Sequence, residues 1–284
     1  MNDTAHDRPF RGFVLAAALG IIFWLAAGAL CVLANGFAGP GAPARPYVPA
    51  TAGTGLVQRA ALVVNLERVD PAAWGGWDGE CPGTARDAAV ALAALRERGI
   101  PALALADEEA TVEGVLAAAR QVGATIRPGG LLMLYFSGHG GQRPGAPEEE
   151  DGFDETLCLY DGALSDDTVW ELLRLVPAGV RVWLVTDCCN SGTNFRAPPH
   201  DYARGVSRWY RAEPDLLHWG AAVDGTSALG SWRGGFFTRA LQRAWRPGIT
   251  YREWFDAAKP LVLKKQTPVS NHTGADFSDR EAFQ

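Results

Sequence analysis

From about Leu56 onward, short apolar runs alternate with longer stretches in which apolar residues recur at helical spacing. AALVVNL (60–66), PALALAD (101–107), GLLMLYF (130–136) and VRVWLVTD (180–187) are apolar almost throughout. That is the pattern of strands covered on both faces. Between them, TARDAAVALAALRERG (84–99), EEATVEGVLAAARQVG (108–123) and DDTVWELLRLV (166–176) read as helices, the first two stopped by Gly99 and Gly123. The acidic opening of the second suits the positive end of a helix. HWGAAV (218–223) and FFTRALQRAW (236–245) continue the alternation, and a further helix is expected near 250–263. Strands and helices in turn predict an α/β fold, a mostly parallel central sheet with helices on both faces. Such sheets hold their ligands beyond the carboxyl ends of the strands.

The first residues follow another pattern. From Phe13 to Leu33 there are 21 residues without a charge, enough to cover roughly 30 Å as a helix. A signal-peptide core is usually only about 7–15 residues, so the expectation is an uncleaved single-span anchor, with a cleaved signal peptide as the alternative. Arg8 and Arg11 precede the segment and only Arg45 lies close after it. The positive-inside tendency then places the following domain outside the cytoplasm, or in the periplasm or medium after cleavage. The expected organisation is an arm over 1–12, the membrane segment over 13–33, a Gly/Pro/Ala-rich linker over 34–55 and one domain over 56–284.

Composition narrows the function. A net charge of -6 without a Lys/Arg cluster excludes a nucleic-acid partner. Five cysteines, at 31, 81, 158, 188 and 189, form neither a disulfide framework nor a zinc pattern. Ten tryptophans are many, and serve to fill core and rim.

Two strands end in loops that carry chemistry. LLMLYF runs into SGHGG, and VWLVT runs into DCCNSGT. On one edge of a parallel sheet, His139 and a cysteine some 50 residues later can meet. A thiolate is a nucleophile and an imidazole can take its proton, the arrangement for acyl transfer. Residues leaving a strand point alternately to its two faces, so one of Cys188 and Cys189 can face the site and the other the core. Residue chemistry alone does not choose between them.

YFSGHGGQ, EEDGFDETLCLYDGALSDD and LVTDCCNSGT, in that order, resemble the caspase-fold cysteine peptidases of family C14, and among them the bacterial metacaspases or orthocaspases. LADEEAT, GGFFTRAL and QTP add to the likeness, which covers roughly residues 58–284. The resemblance implies a caspase–haemoglobinase sandwich. It implies His139 as base, and Cys189, third in D-x-C-x-S-G, as nucleophile. Gly138 and Gly140 would leave room for the substrate and offer backbone N–H to its oxyanion. Asp187, Asp87 and Ser137 would line a pocket for Arg or Lys before the scissile bond of a peptide or protein substrate. Cys81 stands further from Asp87 than the family spacing, which leaves its part in that pocket open. The position after the nucleophile is Asn190, where many metacaspases carry His. No cofactor is required for the chemistry. Calcium activation, known in the family, would draw on Asp154, Asp166 and Asp167, although Arg196 stands where a further aspartate belongs. The alternative is a catalytically silent caspase-like scaffold or binding module at the membrane, against which the intact His and Cys argue. A serine hydrolase using Ser191 or Ser137 lacks the G-x-S-x-G elbow.

Overall fold

A computed structural model describes residues 55–145, 152–195, 214–262 and 264–284. The expected arm, membrane segment and linker lie outside these residues, as do Arg196 and the first residues of the acidic stretch. Among the described residues no helix is long and apolar enough to cross a membrane.

Six strands form the central sheet. In chain order they are β1 (Val57–Asn65), β2 (Ala102–Ala106), β3 (Ile126–Ser137), β7 (Arg181–Asp187), β8 (Leu216–Gly220) and β11 (Val269–Thr273). Their spatial order is β11-β8-β7-β3-β1-β2. All neighbours are parallel except β11, which pairs antiparallel with β8 at the edge. The parallel alternation read from the apolar runs is therefore present, closed at one side by an antiparallel strand.

Both faces of the sheet are covered, which is why its central strands are apolar at successive positions. Ala60, Leu62 and Val64 of β1 face one core with α2 (Val112–Ala124) and α3 (Asp166–Arg174). Ala61 and Val63 face the other, with α1 (Thr84–Glu97), α4 (Phe236–Ala244) and α5 (Tyr251–Ala258). This second core is aromatic. Trp183 packs edge-on against Trp219, Tyr251 and Phe283, and Trp254 joins the same group.

Several boundaries differ from the sequence expectation for local reasons. The helix expected from 108 starts at Val112, because the Thr111 side chain accepts from Gly114 N–H and caps it. The acidic residues Asp107–Glu109 form a separate 3-10 turn. Ser165 caps α3 in the same way. The last expected helix ends at Ala258 rather than near 263, and passes into a 3-10 turn containing Pro260. β8 covers 216–220 rather than 218–223, since Ala221 and Ala222 already belong to the loop that braces the site.

A three-stranded antiparallel sheet stands beside the core: β4 (Gly140–Pro144), β5 (Phe153–Leu159) and β6 (Gly162–Ser165), in the order β4-β5-β6. A short hairpin, β9 (Gly230–Ser231) with β10 (Gly234–Gly235), precedes α4.

Candidate active site

The strand register brings the two chemical loops together. Ser137, the last residue of β3, pairs with Asp187, the last residue of β7. His139 and Cys189 each lie two residues further on, so both leave the sheet at one level. The loops then cross. A Cβ on Gly140 would run into the Cys189 carbonyl oxygen and lie 2.9 Å from Cys188 Sγ. Gly140 is thus needed where two backbones pass, a reason different from the room for substrate expected of it. Gly140→Ala is expected to cost about 1–3 kcal/mol through overpacking, read by urea unfolding; a variant as stable as the parent would contradict the crossing. The Gly138 N–H reaches the Asp187 carbonyl at 3.5 Å, so it ties the loops to each other as they leave the sheet.

The two cysteines point apart. Cys188 is 1% exposed and belongs to the core shared with Leu184 and Phe195. Cys189 is half-buried, its Sγ 3.8 Å from the Ala228 carbonyl. Asn190 makes the bend between them and the next loop. Its φ of 47° is left-handed, a conformation Asn tolerates better than most residues. Its Oδ1 accepts from Gly225 N–H and its own N–H donates to the Thr226 carbonyl. Burial pushes the Cys189 thiol up, opposed by its hydrogen bonds to Ala228 and Ser227.

His139 is held from the other side. Its Nε2 lies 3.4 Å from the Glu80 carbonyl, and Trp77 packs on the ring at 4.9 Å between centroids. Both belong to the loop after β1. Asp107, from LADEEAT, hangs that loop on β2 by accepting from the N–H groups of Glu67 and Arg68. Burial lowers the His139 pKa, partly offset by the carbonyls of Glu80 and Gly79. Burial thus disfavours the charged form of each, the thiolate and the imidazolium alike. With Nε2 donating to Glu80, Nδ1 carries the lone pair. No hydrogen bond joins the ring to Sγ among the described residues; such contacts often tighten only around substrate.

Beside the pair, two carboxylates are buried together. Asp87, from α1, is 2% exposed; it accepts from Ser137 Oγ at 2.9 Å and from Gly235 N–H. Asp187 is 6% exposed and accepts from Thr238 N–H and Oγ1. Since Gly235 has no side chain to cap α4, Asp187 does so from the neighbouring strand. A Cβ on Gly234 would meet Asp87, and one on Gly235 would meet Asp187. Burial and the Asp187 charge raise Asp87 to about 7, and burial raises Asp187 as well. Neither carboxylate has a cation within 4 Å among the described residues. Cys81 borders both features: burial, then Cys189, Asp187 and Asp87, push its thiol up to about 12. Thr84, one turn before Asp87 on α1, is buried with its hydroxyl unpartnered.

Residues not singled out from the sequence brace this site. Asp224 accepts from Gly192 and Thr193 N–H and from Thr193 Oγ1. Gln266, in QTP, accepts from Leu229 N–H and donates to the Ala221 carbonyl, fixing the loop that carries Ala228. Ser191 is consumed by a two-way clamp on Ala222, and Ser137 by Asp87, so neither hydroxyl is placed as a nucleophile.

The model of the family described as "Metacaspase, peptidase C14 domain" matches residues 96–198, which include both His139 and Cys189. Metacaspase-1B of Neosartorya fischeri is 30% identical over 188 residues, 61% of this chain and 44% of that protein. Metacaspase-5 of Trypanosoma brucei brucei is 38% identical over 78 residues, 26% of this chain and 16% of that protein. The chain thus spans less than half the length of these relatives. A Geobacter sulfurreducens protein of known crystal structure is 29% identical with a TM-score of 0.68, covering 80% of this chain and 98% of that one. Caspase-1 from Spodoptera frugiperda, 18% identical with a TM-score of 0.54 over 81% of this chain and 92% of its own, shares the fold. The domain has the caspase fold, and its residues 96–198 match the metacaspase domain of peptidase family C14.

Family C14 is a family of cysteine-type peptidases, and calcium is the group that its metacaspase branch would bring. Asp154, Asp166 and Asp167 are near enough to share their charge: burial, then Glu155, Asp167 and Asp154, raise Asp166 to about 8. They do not converge on a point. Asp154 is paired with Arg143 at 2.9 Å, and Asp166 accepts from the N–H of Asp167 in its own helix turn. Among the described residues no three such side chains are grouped to hold a metal ion. The described residues therefore do not fit the ion as they stand, and no step below runs through it.

Proposed function

We propose that the domain is an endopeptidase that cleaves after Arg or Lys, with Cys189 as nucleophile and His139 as base and then acid. The observation that carries this reading is the buried carboxylate pair, Asp87 and Asp187, with no cation within 4 Å among the described residues and one strand-end away from the Cys189 thiol and the His139 imidazole. Two buried like charges are costly. A guanidinium or ammonium between them would relieve that cost, and the Thr84 hydroxyl offers a further acceptor to a guanidinium fork.

Cys189 Sγ attacks the scissile carbonyl carbon as His139 takes the thiol proton, forming a tetrahedral oxyanion. Collapse breaks the C–N bond, and His139 gives the proton to the leaving amine. Water, deprotonated by His139, then releases the acyl group and restores the thiol.

The test is a panel of peptide amides differing only in the residue before the scissile bond. The full-length protein should cleave after Arg and Lys and leave Asp- and Leu-ending peptides intact. Cleavage after Asp would overturn the pocket assignment, and a folded protein without turnover on any peptide would favour the scaffold alternative.

A further inference from the structure

The end of the sheet opposite the catalytic loops carries a cluster of donors with too few acceptors. Arg59 of β1 and Arg181 of β7 both pair with Leu131 of β3, one from each side. Their side chains therefore leave the same face, the aromatic one, near the amino ends of the parallel strands. Arg181 is 8% exposed, and its Nη1 is buried without a hydrogen-bond partner. Its Nη2 makes only a long contact to the Gly129 carbonyl, 3.5 Å, and its guanidinium lies over Phe277. Arg59 Nη1 donates to the Phe283 carbonyl at 2.8 Å.

Tyr251, fully buried, lies within electrostatic reach of both arginines. Its hydroxyl oxygen accepts from Phe283 N–H at 3.0 Å. The hydroxyl's own hydrogen has no acceptor among the described residues. Arg280 adds positive charge next to Arg181. Asp215 is the carboxylate that Arg181 senses, but it stands beyond ion-pair distance and its Oδ1 accepts from Ala275 N–H. Among the described residues none of the three arginines has a carboxylate within 4 Å. A buried guanidinium short of an acceptor is costly, and here a phenolic O–H shares the shortage.

We propose that Arg59, Arg181 and the Tyr251 hydroxyl form a binding site for a small oxyanion, a phosphate or a carboxylate. Such a ligand supplies several acceptor oxygens and matches the planar fork of a guanidinium. It would also hold the segment around Phe283, since Arg59 and Tyr251 grip that residue's carbonyl and N–H. Phe283 is one of three non-glycine residues described with positive φ, at 68°. The anion would thus act on stability through that hook, independently of the peptidase reading.

The experiment is thermal unfolding of the full-length protein in phosphate, in acetate and in chloride at matched ionic strength. Phosphate or acetate at about 10 mM is expected to raise Tm by about 2 °C or more over chloride, and whichever does so identifies the source of the oxyanion. Arg181→Gln should abolish the difference between salts. Tyr251→Phe, which keeps the ring in its aromatic pocket, should reduce that difference, and it carries the test if Arg181→Gln does not fold. Equal Tm in the three salts, or an undiminished anion shift in both variants, would overturn the site.

Discussion

Cys189→Ala is expected to reduce kcat/KM on an Arg-ending peptide by about 10⁴-fold or more, while Cys188→Ala leaves cleavage in place and lowers stability. The first figure follows from removing a nucleophile around which the other groups act as one unit. The second follows from location: Cys188 is 1% exposed in the core, and losing one buried sulfur there costs about 1 kcal/mol. Peptide turnover and urea unfolding of the two variants, measured side by side, separate the roles. A Cys188→Ala protein that folds and fails to cleave, beside an active Cys189→Ala, would reverse them.

The second large effect concerns Asp87, and activity and stability should move in opposite directions. Asp87→Asn is expected to lower kcat/KM for Arg peptides about 100-fold, because it leaves a bound cation facing one buried carboxylate instead of two. The same change should stabilise the domain at pH 8. A carboxyl held at about 7 rather than its ordinary 3.8 binds its proton more tightly folded than unfolded. Its contribution to stability is therefore full below about pH 4 and is lost as pH rises through about 7. Asn stays neutral and escapes that loss, a gain on the order of 2 kcal/mol at pH 8, since Asp187 shares the burden. In the parent enzyme, kcat/KM for Arg peptides should rise with pH through about 7 as Asp87 ionises. The acid limb of kcat should fall below 6.5, where His139, lowered by burial, becomes protonated. A pH profile in Asp87→Asn identical to the parent's would refute this division.

The parts legible in the sequence are those set by local pattern. Buried parallel strands must be apolar on both faces, so β1, β3 and β7 announce themselves, and their ends mark the chemical loops. That His139 and Cys189 leave the sheet at one level follows once β3 and β7 are neighbours, which the strand runs imply without proving. The β4-β5-β6 sheet was not legible, because its first strand, GGQRP, is glycine-rich and polar and gains its partners from residues beyond the loop. The supports of the site were hidden for a similar reason. Asp187 reaches Thr238 and Asp87 reaches Gly235 across 51 and 148 residues of chain, and only the fold joins them. LADEEAT, GGFFTRAL and QTP added only to the likeness when read as sequence; in the fold their Asp107, Gly235 with Thr238, and Gln266 brace loops around the pair. Cys81 and Asp87 are separated by more chain than the family spacing, yet Gly83 lies between them with φ of 102°, and both residues come within reach of Asp187.

The cap that Asp187 places on α4 bears on how this domain can change its taste for substrates during evolution. A lineage that tried to invert the charge of the pocket could not begin at 187. Arg or Lys there would set a cation against the positive end of α4 and leave Thr238 N–H without its acceptor. Asp87 is a freer starting point, since its neutral replacement relieves the buried pair before any new preference is gained. New specificity in this fold should accordingly enter through the first turn of α1, with position 187 changing last and only alongside a new cap for α4.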